Sequence, residues 1–136
     1  MAPRIAPGER AAPAASRGFT LIELLVVMSI IATLLMIAVP KYFRSLERSR
    51  EAVLRQDLSV MRDAIDKYYG DLAQYPQTLP TLVEQRYLRN IPVDPQTRSN
   101  ETWLTVASED PEIPGIRDVH SGATGAASDG SLFASW

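Results

Sequence analysis

One long apolar segment constrains this chain more than any other feature of its sequence. From Leu21 to Val39 the only polar side chains are Glu23, Ser29 and Thr33, and the segment has nearly the roughly 20 residues that a membrane-spanning helix needs. It therefore predicts such a helix. An ionisable group inside a membrane span is costly and usually marks a function, so Glu23 is a candidate functional residue.

The residues before Gly18 contrast with this segment. They are rich in Ala and Pro and show no helical or alternating apolar period, which predicts an unstructured leader. A secretory signal would carry a small-residue cleavage site after its apolar run. Here the run ends in Val39-Pro40-Lys41, a poor site, whereas Gly18 precedes it. Cleavage beside Gly18 would leave the helix in the mature protein.

Glu23 also has a structural interpretation. The spacing Thr20-x-x-Glu23 matches a capping box, in which each side chain bonds a backbone N–H at the helix start. A capping box usually lies in water, whereas this one would lie at or inside a membrane. The two interpretations of Glu23 therefore both stay open.

Apolar residues continue beyond Pro40 at three- and four-residue steps as far as Leu72, which is the pattern of a helix with one buried face. Pro40 predicts a kink rather than an end, because a proline inside a helix removes one hydrogen bond. Gly70 predicts that the helix ends at about residue 70. Glu51 and Arg55, one turn apart, predict an ion pair along the helix surface.

A short second helix is predicted from Leu79 to about Arg86. Three β-prone segments follow, with 102–106 as the best strand and 115–120 and 131–136 as weaker candidates. A small C-terminal antiparallel sheet packed on the amphipathic half of the long N-terminal helix gives an α+β fold class.

The composition excludes several functions. The chain has no cysteine, which excludes a disulfide, a thiolate metal site and a cysteine nucleophile. A formal net charge of -2 gives no indication of a nucleic-acid partner. Asp118, His120 and Ser121 suggest a catalytic triad, but neighbouring residues on a strand point to opposite faces. With no phosphate loop or nucleophile elbow either, the sequence predicts no enzyme.

Asp118 and Asp129 are the candidate metal ligands, since calcium takes oxygen ligands from carboxylates and from backbone carbonyls. The alternative is a solvated Asp118 and an Asp-Gly turn at Asp129 and Gly130. Composition alone favours that alternative.

Residues 17–27, with the sequence RGFTLIELLVV, resemble the N-terminal methylation signature of type IV pilins and type II secretion pseudopilins. The resemblance implies that a prepilin peptidase cuts between Gly18 and Phe19. It further implies that the same enzyme methylates the new amino group of Phe19.

The family pattern also assigns roles along the rest of the chain. Its assembly glutamate falls on Glu23, and its helix-softening proline falls on Pro40. The implied domains are a cleaved leader at 1–18, a transmembrane and assembly helix at 19–40, and a periplasmic pseudopilin domain at 41–136.

Three further stretches, 69–76, 87–95 and 118–136, are similar to those of major pseudopilins. The last of them implies calcium as the cofactor, because that subclass binds calcium in the corresponding loop. This chain departs from the pattern there: Thr124 stands where an aspartate is common, and Asp129 keeps a clear carboxylate.

The resemblance implies a structural subunit of a type II secretion pseudopilus, polymerised through its N-terminal helix to drive protein export across the outer membrane. It implies as partners other copies of the chain, prepilin peptidase, minor pseudopilins, the inner-membrane assembly platform with its ATPase, and membrane lipid. The N-terminus would be cytoplasmic and the domain periplasmic. The alternatives are a type IV pilin for adhesion, competence or motility, and a membrane-tethered periplasmic binding domain that never assembles.

Overall fold

The computed structural model describes residues 1–4, 8 and 17–136. The predicted leader at 1–18 therefore lies largely outside the described residues. The chain divides into two compact units, Met1–Val39 and Pro40–Trp136.

The first helix, α1, spans Leu21–Leu72. It continues through Pro40, as predicted, although the missing N–H of a proline removes one helical hydrogen bond. It also passes through Gly70 and ends slightly later than predicted. The end comes where Ala73 takes a positive φ of 54°, a left-handed conformation that interrupts a right-handed helix.

The buried face of α1 is shorter than the apolar pattern that predicts it. Its buried side chains are Leu54, Leu58, Met61, Ala64, Ile65 and Tyr68. Phe43, Val53 and Leu72 continue the same three- and four-residue spacing but stay exposed. The amphipathic pattern therefore extends beyond the surface that the folded domain covers.

A short helix, α2, spans Leu79–Glu84 and carries Pro80 in its first turn, where the missing N–H breaks no helical bond. It ends before Arg86, whose positive φ of 64° is not helical. Leu79 and Leu82 are the buried residues of α2, so this short helix contributes to the core.

The sheet consists of two antiparallel strands, β1 at Leu104–Ala107 and β2 at Ile116–His120. Their register pairs Thr105 with Val119, and an irregularity after Val106 shifts the pairing. Both strands lie close to their predicted positions. The alternation of apolar and polar residues in the sequence did not predict this irregularity.

The prediction of a third strand at 131–136 is wrong. Phe133–Ser135 form a 3-10 helix, and the rings of Phe133 and Trp136 meet edge to face with centroids 5.3 Å apart. Residues three apart point to opposite faces of a strand, whereas they lie on the same side of a 3-10 helix. The contact between the two rings therefore favours the 3-10 helix over a strand.

The core lies in the unit Pro40–Trp136 and draws on α1, α2, β2 and the 3-10 helix, but not on β1. Leu58 and Met61 of α1 share one cluster with Leu82 of α2, Val119 of β2 and Phe133 of the 3-10 helix. A long helix packed on a small antiparallel sheet confirms the predicted α+β class.

Candidate processing and assembly site

Gly18 and Phe19 lie exposed immediately before α1. A side chain built on Gly18 would meet no atom within 4 Å, so nothing in the described chain requires a glycine at that position. Phe19 is 87% exposed. The peptide bond between the two residues is therefore unhindered by the described residues.

Thr20 caps the start of α1. The N–H of Glu23 donates to Thr20 Oγ1 at 3.2 Å, and the N–H of Leu24 donates to the Thr20 carbonyl oxygen at 3.1 Å. The other half of the capping box, from the Thr20 N–H to the Glu23 carboxylate, does not form within residues 17–136. Thr20 thus acts as a cap, while the Glu23 carboxylate is exposed and has no hydrogen-bond partner among the described residues.

The apolar half of α1 has no partner within the described chain. Every residue from 21 to 39 is exposed, and the hydroxyl of Thr33 is satisfied inside the helix by the Ser29 carbonyl oxygen at 2.9 Å. The segment has the length and composition of a membrane span, although a signal sequence near an N-terminus meets the same criteria. An apolar surface of this extent requires lipid or another protein to cover it.

Asp129, a candidate calcium ligand, already has partners for both of its carboxylate oxygens. Oδ1 accepts from the Ser131 N–H at 2.9 Å and from the Ser131 hydroxyl at 2.5 Å, and Oδ2 accepts from Arg55 at 2.9 Å. The Ser131 hydroxyl and N–H, with the Arg55 guanidinium, hold the pKa of Asp129 below its ordinary value.

Asp118, the second candidate ligand, pairs with a different arginine. Its Oδ1 accepts from Arg62 Nε at 2.7 Å and from the Val119 N–H at 2.7 Å. Partial burial by itself would raise the pKa of Asp118, but the Val119 N–H and the Arg62 guanidinium together hold it below its ordinary value.

These arrangements do not fit the implied calcium ion. Two arginines neutralise the two candidate carboxylates, Asp118 and Asp129, and the described part of the chain gathers no group of three or more His, Asp or Glu side chains. Calcium favours several carboxylate oxygens converging on one point. The calcium site stays a prediction, with a donor set that does not support it.

Side chains of α1 hold the loop 121–136 by contacts that the sequence pattern did not predict. Glu51 accepts from the Ser128 N–H at 2.7 Å and from the Ser128 hydroxyl at 2.6 Å. The Arg55 guanidinium stacks over the Trp136 ring at 4.1 Å from its centroid. Among the described ion pairs, the predicted pair of Glu51 with Arg55 is therefore replaced by bonds between distant parts of the sequence.

A second unpredicted contact joins the loop after α2 to the end of β2. Asp94 is fully buried, and its Oδ2 accepts from the Ser121 hydroxyl at 2.5 Å. Its Oδ1 accepts from the backbone N–H groups of Gln96 and Thr97 at 2.7 and 3.3 Å. An Asp that bonds the N–H two residues later is a recognisable turn signal. The bonds of Asp94 to the backbone N–H groups could therefore have been predicted from the sequence, whereas the bond to Ser121 could not.

The triad that Asp118, His120 and Ser121 suggest is not assembled. His120 Nε2 lies 3.6 Å from Asp118 Oδ2, and His120 Nδ1 contacts the Trp136 carbonyl oxygen. Ser121 is fully buried and donates to Asp94 instead. The structure thus separates the serine from the histidine, as the alternation of a strand predicts.

The fold and the exposed N-terminal site together define a class: a membrane-anchored α+β protein of the pilin type. Residues 13–39 match the family described as the prokaryotic N-terminal methylation motif. The type II secretion system core protein G of Escherichia coli (strain K12) is 32% identical over 95 residues, which is 58% of this chain and 66% of that protein. The protein of the same name from Klebsiella pneumoniae is 33% identical over 95 residues, covering 58% of this chain and 68% of the relative.

A pilus protein is also similar. The fimbrial protein EcpC of Eikenella corrodens is 28% identical over 125 residues, covering 88% of this chain and 80% of that protein. No solved structure matches the chain. The motif and the identities to protein G show that the chain belongs to the type IV pilin-like family. Its named relatives are secretion and fimbrial proteins rather than enzymes.

Proposed function

We propose that the chain is a structural subunit of a type II secretion pseudopilus. The observation that carries the proposal is the methylation motif at 13–39 combined with a 95-residue similarity to protein G that extends well beyond it. The motif accounts for processing and anchoring, and the longer similarity favours secretion over other uses of the same helix.

In this proposal a prepilin peptidase cuts between Gly18 and Phe19 and methylates the Phe19 nitrogen. Both residues are exposed, and the described fold does not require a glycine at position 18. This supports the view that the peptidase, and not the fold, requires Gly18. The helix at 19–40 then anchors the protein in the inner membrane, with the leader in the cytoplasm and the domain at 41–136 in the periplasm.

Assembly would pair Glu23 of one copy with the Phe19 ammonium of its neighbour. Both charges lie in a low-dielectric region, where an unpaired charge is strongly unfavourable and a pair offsets much of that cost. The exposed carboxylate of Glu23 supports this role, because Thr20 caps the helix without the reciprocal bond from Glu23. Pro40 supplies local flexibility in the helix during packing.

The remaining partners follow from the same role. An ATPase-driven assembly platform in the inner membrane would extract subunits from lipid, and minor pseudopilins would join the same filament. The apolar surface from 21 to 39 is fully exposed. This exposure supports a cover of lipid while the subunit is in the membrane, and a cover of other copies of the chain once it is in the filament.

The test is a gene deletion complemented by variants at Glu23. Wild type should restore protein export and filaments, and Glu23→Ala should be processed normally but lose filament assembly. Glu23→Gln removes the charge and keeps the size of the side chain, so it should also be processed normally and lose filament assembly. Normal assembly by Glu23→Ala would contradict the pairing.

A type IV pilin is the second candidate, favoured by the similarity to EcpC over 88% of this chain. The same deletion strain discriminates: a pilus subunit predicts loss of surface attachment, competence or motility with protein export intact.

A tether that never assembles is the third candidate. Replacing 21–39 by a generic apolar helix, with Glu23 kept, should leave a tether fully active. The same replacement should abolish a filament subunit, because its side chains there are contacts.

A further inference from the structure

A basic surface follows the apolar half of α1. Lys41, Arg44 and Arg48 are exposed and, with Ser45, line a concave surface of about 380 Å³. Positions three, four and seven residues apart lie on one side of a helix. Three cations therefore converge on one open site.

These cations have no anionic partner among the described residues, since Lys41, Arg44 and Arg48 take part in none of the described ion pairs. Glu47 and Glu51 line a separate concave surface. Arg48 also borders a concave surface that includes Glu51 and Asp129, but Glu51 is bonded to Ser128 and Asp129 to Arg55 and Ser131. The basic surface is thus available to an anion from outside the chain.

The position of the surface along the helix indicates which anion. The segment 21–39 rises roughly 28 Å at about 1.5 Å per residue, close to the roughly 30 Å thickness of a bilayer's hydrocarbon core. Lys41 therefore begins at the depth of the headgroups. Long helical side chains point back toward the start of their helix, which brings the guanidinium groups of Arg44 and Arg48 closer to that depth.

Two aromatic side chains beside the basic surface fit the same depth. Tyr42 and Phe43 are 63% and 57% exposed, and their rings meet edge to face with centroids 5.8 Å apart. Tyr is enriched at the headgroup level because its ring is amphipathic, and Phe43 packs beside Tyr42 there.

We infer that Lys41, Arg44 and Arg48 form a binding site for the phosphate of an anionic phospholipid headgroup, with Tyr42 and Phe43 in the interfacial layer beside it. The site fixes the depth of the helix while the protein waits in the membrane, and its release accompanies extraction into the filament. This inference rests on the membrane-anchored stage of the proposed function.

The test uses the full chain in nanodiscs of phosphatidylglycerol and phosphatidylcholine, extracted into detergent and analysed by native mass spectrometry for retained lipid. Wild type should retain phosphatidylglycerol in preference to phosphatidylcholine. The triple variant Lys41→Gln, Arg44→Gln and Arg48→Gln should lose this preference, with about a five-fold drop in retention for each charge removed. The charge-preserving triple variant Lys41→Arg, Arg44→Lys and Arg48→Lys should keep it.

A matched control removes the same number of charges from the folded domain. It replaces by glutamine three exposed arginines outside the described ion pairs: Arg86, Arg89 and Arg98. The control should retain phosphatidylglycerol like wild type. An equal loss in both triple variants would show a net-charge effect and overturn the site.

Unchanged retention in the basic-surface variant would also overturn the site, and a simultaneous loss of filaments would assign the surface to contacts between copies. Resistance to carbonate extraction is measured in parallel. A protein that inserts and assembles but shows no lipid preference contradicts this inference alone, whereas one that does not insert contradicts the proposed function.

Discussion

The large apolar residues in the two halves of α1 have opposite surroundings. From 21 to 39 every side chain is exposed, whereas Leu54, Leu58, Met61 and Ile65 are almost completely buried. Both halves are helical and both are rich in large apolar residues. Among the described residues only the second half has core partners, in α2, β2 and the loop 121–136.

The difference teaches that the chain encodes two kinds of burial. One is completed on folding and stabilises the domain. The other is covered, in the proposed function, by lipid and by other copies of the chain, so its residues would contribute to anchoring and assembly rather than to folding. Substitutions in the first half should therefore lower filament yield, and substitutions in the second half should lower the free energy of unfolding.

The largest expected stability effect comes from the buried half. Leu58→Ala should lower the free energy of unfolding by about 2–5 kcal/mol, because it leaves a cavity in a packed core. The signal is the fluorescence of Trp103 and Trp136, the two tryptophans of the chain, both in the unit Pro40–Trp136. Leu34→Ala, at a side chain that is 61% exposed, should leave this unfolding unchanged and reduce filament yield. A large loss of domain stability in Leu34→Ala would contradict the view that the apolar half of α1 does not stabilise the domain.

The next effect concerns the buried polar contact behind the sheet. Ser121→Ala removes the hydroxyl that donates to the fully buried Asp94 and should cost about 1–3 kcal/mol, the penalty for a buried acceptor that loses its partner. Thermal unfolding measures it. Ser131→Ala is the matched control, since Ser131 bonds the exposed Asp129, and it should shift the melting temperature less. Equal shifts would contradict a special role for Asp94.

A smaller effect is expected where α1 holds the loop 121–136. Glu51→Ala removes both bonds to Ser128 and should cost about 1 kcal/mol, seen as faster proteolysis within the loop. Glu47→Ala, one turn earlier and exposed, should leave the cleavage rate unchanged.

Metal removal tests whether Asp118 and Asp129 bind calcium. With Arg55 and Arg62 paired to the candidate ligands Asp129 and Asp118, EGTA should leave the melting temperature of the wild-type protein unchanged. Added calcium should not raise it. A clear drop in EGTA that calcium restores would show that the loop holds the metal after all.

The smallest effect is a dependence on pH. Burial and the nearby Asp94 raise the pKa of Asp57 above its ordinary value, so the folded protein binds this proton more tightly than the unfolded chain. The resulting stability is present at acid pH and is lost as pH rises through the raised pKa. Asp57→Asn should therefore stabilise the domain at neutral pH, by about 0.5 kcal/mol, with no gain at low pH. An equal gain at low pH would contradict the role of the Asp57 carboxylate.

Much of the fold was predictable because its signals are local. The three- and four-residue spacing predicted α1 through Pro40, and β-branched and aromatic residues placed β1 and β2 within two residues of their observed starts. The segment 131–136 was mistaken for a strand because its composition is β-prone, while the deciding contact of Phe133 with Trp136 depends on how the chain turns.

The side-chain contacts were harder to predict for the same reason. Glu51 and Arg55 are neighbours in the sequence, but Ser128 and Asp129 lie 77 and 74 positions away from them and compete successfully for their charges. Ser121 reaches Asp94 across 27 positions. Sequence periodicity identifies which face of a helix is buried, but it does not identify which loop returns to its polar side chains.

The measurement that tests the account most directly is mass spectrometry of the N-terminal peptide of the protein extracted from membranes of its own host. If the apolar half of α1 stays in the mature protein, the peptide should begin at Phe19 and carry one methyl group on its nitrogen. Gly18→Ile should keep the leader attached, and it should not disturb the fold, because no described atom lies within 4 Å of the added side chain's first carbon. A mature protein that begins after Val39 would show a removed signal sequence and would contradict the central claim.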